Sequence, residues 1–408
     1  MSIYPRAIEP QLSSAASAGK VRILLGARQT GKSTLLRRLA GDDALVFNLQ
    51  ERKTRLELER DPSVLTQQLR AEARPRLDVL IDEIQKAPAL LDEVQCLYDE
   101  APERYRFVLT GSSARKLKRT SANLLPGRSH VFHLCPLVLA ERGYPPGQVF
   151  PLADGRTSPA HCFPRADIET MLLRGNLPGV ALENAESAER TLDGYVELYL
   201  EEEIRREALV RDLGAFQQFL ELAAMESGQI VNLSSLSRES GVALPTLRGY
   251  YQVLEDTFVG YRIPAFGQGG RKRVLTTPRF LFFDLGVRNA AARLGFSPAV
   301  LKTQSGLLFE NWVGLELYHR CLHAGRTHRL TFWRTAHGAE VDYVLDTPKE
   351  TIPIEVKWTE APHPTDARHL NLFLDAYPDR AHRAFLVCRC AAPRKLDDRT
   401  TAVPWQMM

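Results

Sequence analysis

Nothing in this chain approaches the roughly 18 consecutive apolar residues that a membrane helix needs. Its first ten residues, MSIYPRAIEP, lack the basic start and apolar stretch of an export signal. These two absences give the expectation of a soluble, cytoplasmic protein with no membrane partner. Cysteine pairs are missing as well. The six cysteines stand at 96, 135, 162, 321, 388 and 390 with no C-x-x-C spacing, and Cys388 and Cys390 are too close for half of a standard zinc site. Five of the six lie in apolar or strand-like runs, the pattern of buried free thiols in a reducing compartment. Charge of one sign is also scarce. The 53 Lys and Arg against 49 Asp and Glu leave a formal +4, which permits a nucleic-acid partner without arguing for one. No repeat or low-complexity tract interrupts 408 residues of ordinary globular composition, enough for two or three domains.

What is present begins with apolar runs: VRILL (21–25), ALVFNL (44–49), LDVLIDE (77–83) and YRFVLTGSS (105–113). Helical stretches alternate with them, the signature of a parallel sheet covered by helices. Between the first run and a helix from Lys32 to about Ala40 lies Gly26-Ala27-Arg28-Gln29-Thr30-Gly31-Lys32-Ser33, a full match to G-x-x-x-x-G-K-[ST]. The glycines let successive N–H groups point at phosphate oxygens, and the helix start adds its positive dipole end. These residues and Thr34 are the expected ATP contacts, with Lys32 on the β and γ phosphates and Ser33 on Mg²⁺. The strand LDVLIDE ends in acid, placing Asp82 to hold the magnesium through water and Glu83 to polarise the attacking water. Thr110 and Ser112, after FVLTG, are candidates for sensing the γ-phosphate or are a plain turn. Arg128, in LLPGRSH, is a candidate arginine finger or a surface arginine. RKLKR (115–119) is a basic cluster or a solvated helix face.

Beyond the ATP site, residues 143–165 carry five prolines and three glycines and read as a loop or boundary. Helical patterning resumes at ETMLLRGNLPG and through 191–210. From 213 to 263 the order is helix, short helix capped by Asn232 or Ser234, a turn at Gly241, a helix opening near Pro245, and a strand, FVGYRI. That is the order of a winged helix-turn-helix. Arg248 on its last helix and Arg271-Lys272-Arg273 near the wing tip suit phosphate contacts, or else are solvated charge beside the core stripe of Leu247, Tyr250, Tyr251 and Leu254. The remainder reads α-β-β-β-α-β, a second α/β domain. Glu310 lies on its first helix, Asp342 on the strand EVDYVL, and Glu355 and Lys357 share one face of the next strand.

The order Glu310, Asp342, Glu355-x-Lys357 resembles the PD-(D/E)-x-K nuclease fold. There the acids hold one or two Mg²⁺ ions and the lysine steadies the attacking water or the phosphate. Val341 stands where the motif's proline would be, and an internal Glu355–Lys357 ion pair on an ancestral scaffold is the other reading. The phosphate loop, LIDEIQ and the LTGSS-to-LPGR run, with the later FFDLGVRN, LFENWV, EVDYVL and IEVKW, resemble the AAA-type ATPases that carry a C-terminal domain of unknown function in bacteria and archaea. The resemblance spans about 15–400 and implies four segments: an AAA-type core (1–142), a loop and helical linker (143–190), a helical and winged-helix segment (191–274) and a restriction-endonuclease-like α/β domain (275–408). The expected function is an ATP-binding, ATP-hydrolysing AAA-type protein that couples nucleotide state to a DNA- or RNA-binding C-terminal half, with cleavage by that half left open. The alternative is an ATP-dependent protein-interaction switch whose nuclease-like domain is inactive. In either case the chain is a candidate homo-oligomer, with Arg128 supplied by the same chain or by a neighbouring subunit.

Overall fold

The computed structural model describes residues 4–39, 41, 43–113, 125–145, 149–152, 162–200, 212–267 and 277–408. The basic runs 115–119 and 271–273, and the end of the expected helix over 191–210, lie outside the described residues. Met1–Cys135 with Asp256–Phe258 form one compact unit; Pro136–Glu255 with Val259–Met408 form the other. Among the described residues no helix is long and apolar enough to cross a membrane.

The first unit is built on a five-stranded parallel sheet in the order β2-β3-β4-β1-β5: β1 Val21–Leu25, β2 Leu45–Asn48, β3 Leu77–Asp82, β4 Tyr105–Gly111 and β5 Ser129–His133. Strands β1, β3 and β4 are buried on both faces, which is why they read as unbroken apolar runs. Helix α1 (Lys32–Leu39) follows the phosphate loop. The polar stretch after β2 is two helices, α2 (Arg52–Arg60) and α3 (Ser63–Ala71), parted at Asp61-Pro62, where the proline ring cannot continue a helix interior. Helix α4 (Leu90–Glu100) buries Leu90, Leu91, Val94 and Leu97. Cys96 is off that stripe and exposed, and Cys162 is only half-buried. The thiol expectation is therefore corrected to four buried residues, Cys135, Cys321, Cys388 and Cys390.

The second unit opens with α5 (Ile168–Arg174) and α6 (Ala185–Gly194). Helices α7 (Leu213–Met225), α8 (Leu233–Ser240) and α9 (Leu244–Asp256) follow. The Asn232 side chain caps α8 by accepting from Ser235 N at 3.0 Å, and Gly241 turns the chain at φ 67°. On α9, Leu247, Tyr250, Tyr251 and Leu254 are buried and Arg248 is exposed. Strand β6 (Gly260–Ile263) pairs antiparallel with β7 (Arg279–Phe282), and the boundary expected at 274–275 lies outside the described residues.

Helices α10 (Leu285–Ala291) and α11 (Pro298–Ala324) lead into a six-stranded mixed sheet ordered β12-β13-β11-β10-β9-β8. Its strands are β8 Arg329–Arg334, β9 Glu340–Asp346, β10 Thr351–Val356, β11 Ala384–Cys388, β12 Arg394–Lys395 and β13 Thr400–Pro404. Phe309, Trp312 and Val313 of α11 pack with Tyr343, Ile354 and Val387, while α12 (Arg368–Ala376) packs Leu370 and Phe373 against Trp333 and Val341. The register passes from Thr331↔Val344 to Trp333↔Val341, so Asp342 and Tyr343 lie opposite Phe332 alone. That is a bulge, which re-aims the Asp342 carboxylate relative to a regular strand.

Candidate functional site

Gly26 opens the phosphate loop under the backbone of Leu134, where a Cβ would stand 2.3 Å from the carbonyl oxygen. Gln29 (φ 60°) and Gly31 (φ 93°) take left-handed backbone, so the turn reverses before α1 begins. Thr30 Oγ1 donates to Ala27 O at 2.9 Å, closing the loop on itself. Arg6, which no sequence motif announces, is buried and braces the loop from outside. Its guanidinium donates to Thr30 O at 2.6 Å and to Cys135 O at 2.7 Å. Lys32 is buried, and its ammonium donates to Gly26 O (2.9 Å) and Ala27 O (2.8 Å). Arg28, Gln29 and Ser33 are half-buried and Thr34 is exposed.

The acid end of β3 meets this loop directly. Ser33 Oγ donates to Asp82 Oδ2 at 2.7 Å. The other Asp82 oxygen accepts from Thr110 Oγ1, and Gln50 Nε2 adds a bond to Oδ2 at 3.1 Å. Glu83 sits past the strand end in left-handed backbone, φ 62° and ψ 49°, with its N–H on Thr110 Oγ1 at 3.0 Å. That conformation is uncommon for a residue with a Cβ and turns its side chain out of the strand's alternation. Glu83 Oε2 accepts from Ser112 Oγ at 2.7 Å and from Gln85 Nε2. Burial pushes the Glu83 carboxyl up, but Lys32, the two hydrogen bonds and Arg28 outweigh it and hold the group below the usual carboxylate range. Thr110 and Ser112 thus bond the two carboxylates. Gln50 and Gln85 are the contributors that sequence patterns missed.

Arg128 is not part of this constellation within one chain. It immediately precedes β5, whose Ser129 aligns with Val21 at the start of β1, whereas the phosphate loop follows the other end at Leu25. Four residues at about 3.3 Å each put it roughly 13 Å away along the strand. Its guanidinium pairs with Asp99 at 2.5 and 2.9 Å. Parallel pairing thus sets Arg128 at the opposite end of the strands from the phosphate loop of its own chain.

The second constellation gathers Glu310 from α11, Asp342 from β9 and Glu355 from β10, but around a cation that the sequence reading overlooked. Arg279 at the start of β7 pairs with Glu310 through Nη1 and with Glu340 through Nη2, and lies 4.0 Å from Asp342 Oδ1. Asp342 Oδ2 accepts from Val356 N at 2.9 Å. Lys357 Nζ pairs with Glu355 Oε1 at 3.0 Å. Burial, then mutual repulsion with Asp342, raises both Glu310 and Glu355 above the carboxylate range. Among the described residues no group of three or more His, Cys, Asp or Glu is disposed to hold a metal ion. Of the expected metal set of Glu310, Asp342 and Glu355, two members already meet a guanidinium, that of Arg279. The only signal for it in the sequence was an arginine opening the apolar run RFLFF, next to a surplus of acids.

Comparisons with known proteins divide the chain in three. Residues 165–298 and 305–408 match domains of unknown function (DUF8612 and DUF4143), and 18–142 match the family described as AAA domain. No curated protein matches the chain. Among solved structures, a DNA polymerase III gamma subunit-related protein from Thermotoga maritima is similar at 12% identity and a TM-score of 0.27, over 62% of this chain and 98% of its own. Protein VC1899 from Vibrio cholerae is similar at 12% identity and a TM-score of 0.15, over 91% and 89%. The parallel five-stranded sheet with the phosphate loop at its carboxyl end fits a P-loop NTPase, and the family match over residues 18–142 supports an AAA-type ATPase there.

Proposed function

We propose that this chain binds Mg-ATP at the phosphate loop, hydrolyses it, and uses nucleotide state to control what its C-terminal half binds. The observation that carries the reading is the 2.7 Å hydrogen bond from Ser33 to Asp82, which joins the loop to the acid end of β3. A hydroxyl and a carboxylate face to face are the hard oxygen donors that a magnesium ion takes beside a phosphate chain. Bound there, the ion supplies charge neutralisation on the phosphates. Lys32 meets the β and γ phosphates, and the loop N–H groups with the start of α1 orient them. Glu83, kept ionised by Lys32 and its two hydrogen-bond donors, takes the proton of the attacking water. Thr110 and Ser112 act by holding the carboxylates, and Arg128 completes a site only from a neighbouring subunit. Glu83→Gln is expected to keep ATP binding and to lose about 100-fold or more in turnover. Unchanged hydrolysis in that variant would sink the assignment.

For the output, we favour recognition over cleavage. The helix-turn-helix of α8 and α9 with its β6–β7 hairpin is read as a winged helix, and the C-terminal sheet as a nuclease-like scaffold. Arg279 among the acids supports the inactive alternative. Incubation with plasmid, single-stranded DNA and RNA in Mg²⁺ or Mn²⁺ is expected to give no cleavage above the Asp342→Ala background. Metal-dependent cutting that vanishes in that variant would reverse the preference.

A further inference from the structure

Four carboxylates converge at the junction of α11, β9 and β10: Glu310, Glu340, Asp342 and Glu355. Arg279 and Lys357 are set against them, and Arg334 stands 3.8 Å from Glu340 at the rim. Lys357 is half exposed and serves one oxygen of Glu355, whose other oxygen is buried with no hydrogen-bond partner among the described residues. Arg279 is different in kind. It is 5% exposed, its guanidinium lies over the rings of Phe332 (5.2 Å) and Tyr343 (5.9 Å), and its backbone is locked into pairing with β6. One fork therefore serves acids from a helix and a strand while packed between two aromatic faces.

We infer that Arg279 is a tethered counter-ion, occupying the place between Glu310 and Asp342 that a divalent cation would take, so that such ions bind this cluster only once the guanidinium is gone. This deepens the recognition-only reading of the same cluster. A buried acid needs a cation, a proton or a dense set of donors. A side-chain cation already ordered by β7 loses no translational freedom on pairing, whereas a free ion must both give up its water and displace the fork. With the guanidinium removed, Glu310, Asp342 and Glu355 keep, among the described residues, only Lys357 as an ion-pair partner. An all-oxygen carboxylate set of that kind suits Mg²⁺, Ca²⁺ or Mn²⁺.

The probe is Mn²⁺ alone, titrated without nucleotide into the full chain and followed by the electron paramagnetic resonance signal of the free ion. Wild type and Glu355→Gln are expected to bind Mn²⁺ equally, any shared binding belonging elsewhere on the chain. Arg279→Gln is expected to take up one further ion per chain, and Arg279→Gln/Glu355→Gln to lose it again. The inference is overturned if Glu355→Gln alone lowers the binding seen in wild type, or if folded Arg279→Gln gains no ion. Should Arg279→Gln fail to fold, wild type against Glu355→Gln still decides in the same direction. Cleavage assays fail separately: a wild type that cuts DNA overturns the recognition reading, whereas Mn²⁺ uptake alone judges the tethered ion.

Discussion

At the level of single residues, what sequence patterns conveyed and what they hid differ by distance along the chain. Gly26, Lys32, Ser33, Asp82 and Glu83 were legible because loop chemistry needs those side chains at those spacings. Arg6, Gln50, Gln85 and Arg279 were not, because each acts on a partner 24 or more residues away or through a turn that no motif encodes. Gly26 permits a sharp contrast. Its Cβ would stand 2.3 Å from Leu134 O, and Leu134 is itself bonded to Leu25 O at 2.8 Å, so the backbone has little room to yield. Gly26→Ala is therefore expected to lose about 1–3 kcal/mol in urea unfolding and to abolish ATP binding. Gly19→Ala, where nothing lies within 4 Å, should cost neither. Equal behaviour of the two variants would contradict the close approach. Asp284 offers a pH test. Buried, it caps α10 by accepting from Val287 N and also accepts from Asn176 N at 2.6 Å, and burial pushes its carboxyl up to about 6. The folded state then binds this proton more tightly than the unfolded one. Its contribution to stability is complete below about pH 4 and is lost as pH rises through about 6, on the order of 2–3 kcal/mol. Asp284→Asn should be less stable overall, since its amide places a donor against a donor, yet flatter across that window. Urea midpoints at pH 4.5 and 7 for both proteins check it, and identical slopes would refute it.

At the level of elements, continuous apolar strands and long amphipathic helices were readable, while short or polar ones were not. Strands β12 and β13 escaped because AAPRKLDDRTTAVPW has a polar, proline-bounded look, and β13 is ordered by parallel pairing with β11, a long-range cause. In the sequence FFDLGVRN is only a family mark, and its physical meaning emerges in three dimensions. Residues 281–290 are all buried. Asn289 Nδ2 donates to Leu172 O (2.9 Å) and Leu173 O (2.8 Å), the open carbonyls near the end of α5. Arg288 likewise serves Ala224 O (2.7 Å) and Met225 O (3.1 Å) at the end of α7. One helix thus satisfies the carboxyl ends of two others, the groups that a helix cannot satisfy internally. Asn289→Ala would strand two buried carbonyls and is expected to cost about 1–3 kcal/mol, read from the urea midpoint. A change within error would mean that water or backbone movement replaces the amide.

At the level of the whole chain, the placement of aromatic residues supplies a reporter. The four tryptophans, Trp312, Trp333, Trp358 and Trp405, all lie in the second unit, whereas the phosphate loop and Asp82 lie in the first. Tryptophan fluorescence therefore follows the unfolding of the unit that does not carry the nucleotide site. Ligand binding stabilises the state that binds it, by about 2.7 kcal/mol at a ligand concentration 100 times Kd. If nucleotide state governs the C-terminal half, part of that free energy must reach the tryptophans as a coupling term of about 1–3 kcal/mol. Mg-ATP with Glu83→Gln, which keeps the nucleotide intact, is thus expected to raise the urea midpoint seen by tryptophan as well as the protease resistance of the first unit. Lys32→Ala should abolish both effects. Protection confined to the first unit, with the tryptophan midpoint unmoved, would leave ATP binding in place and remove the coupling on which the proposed switch depends.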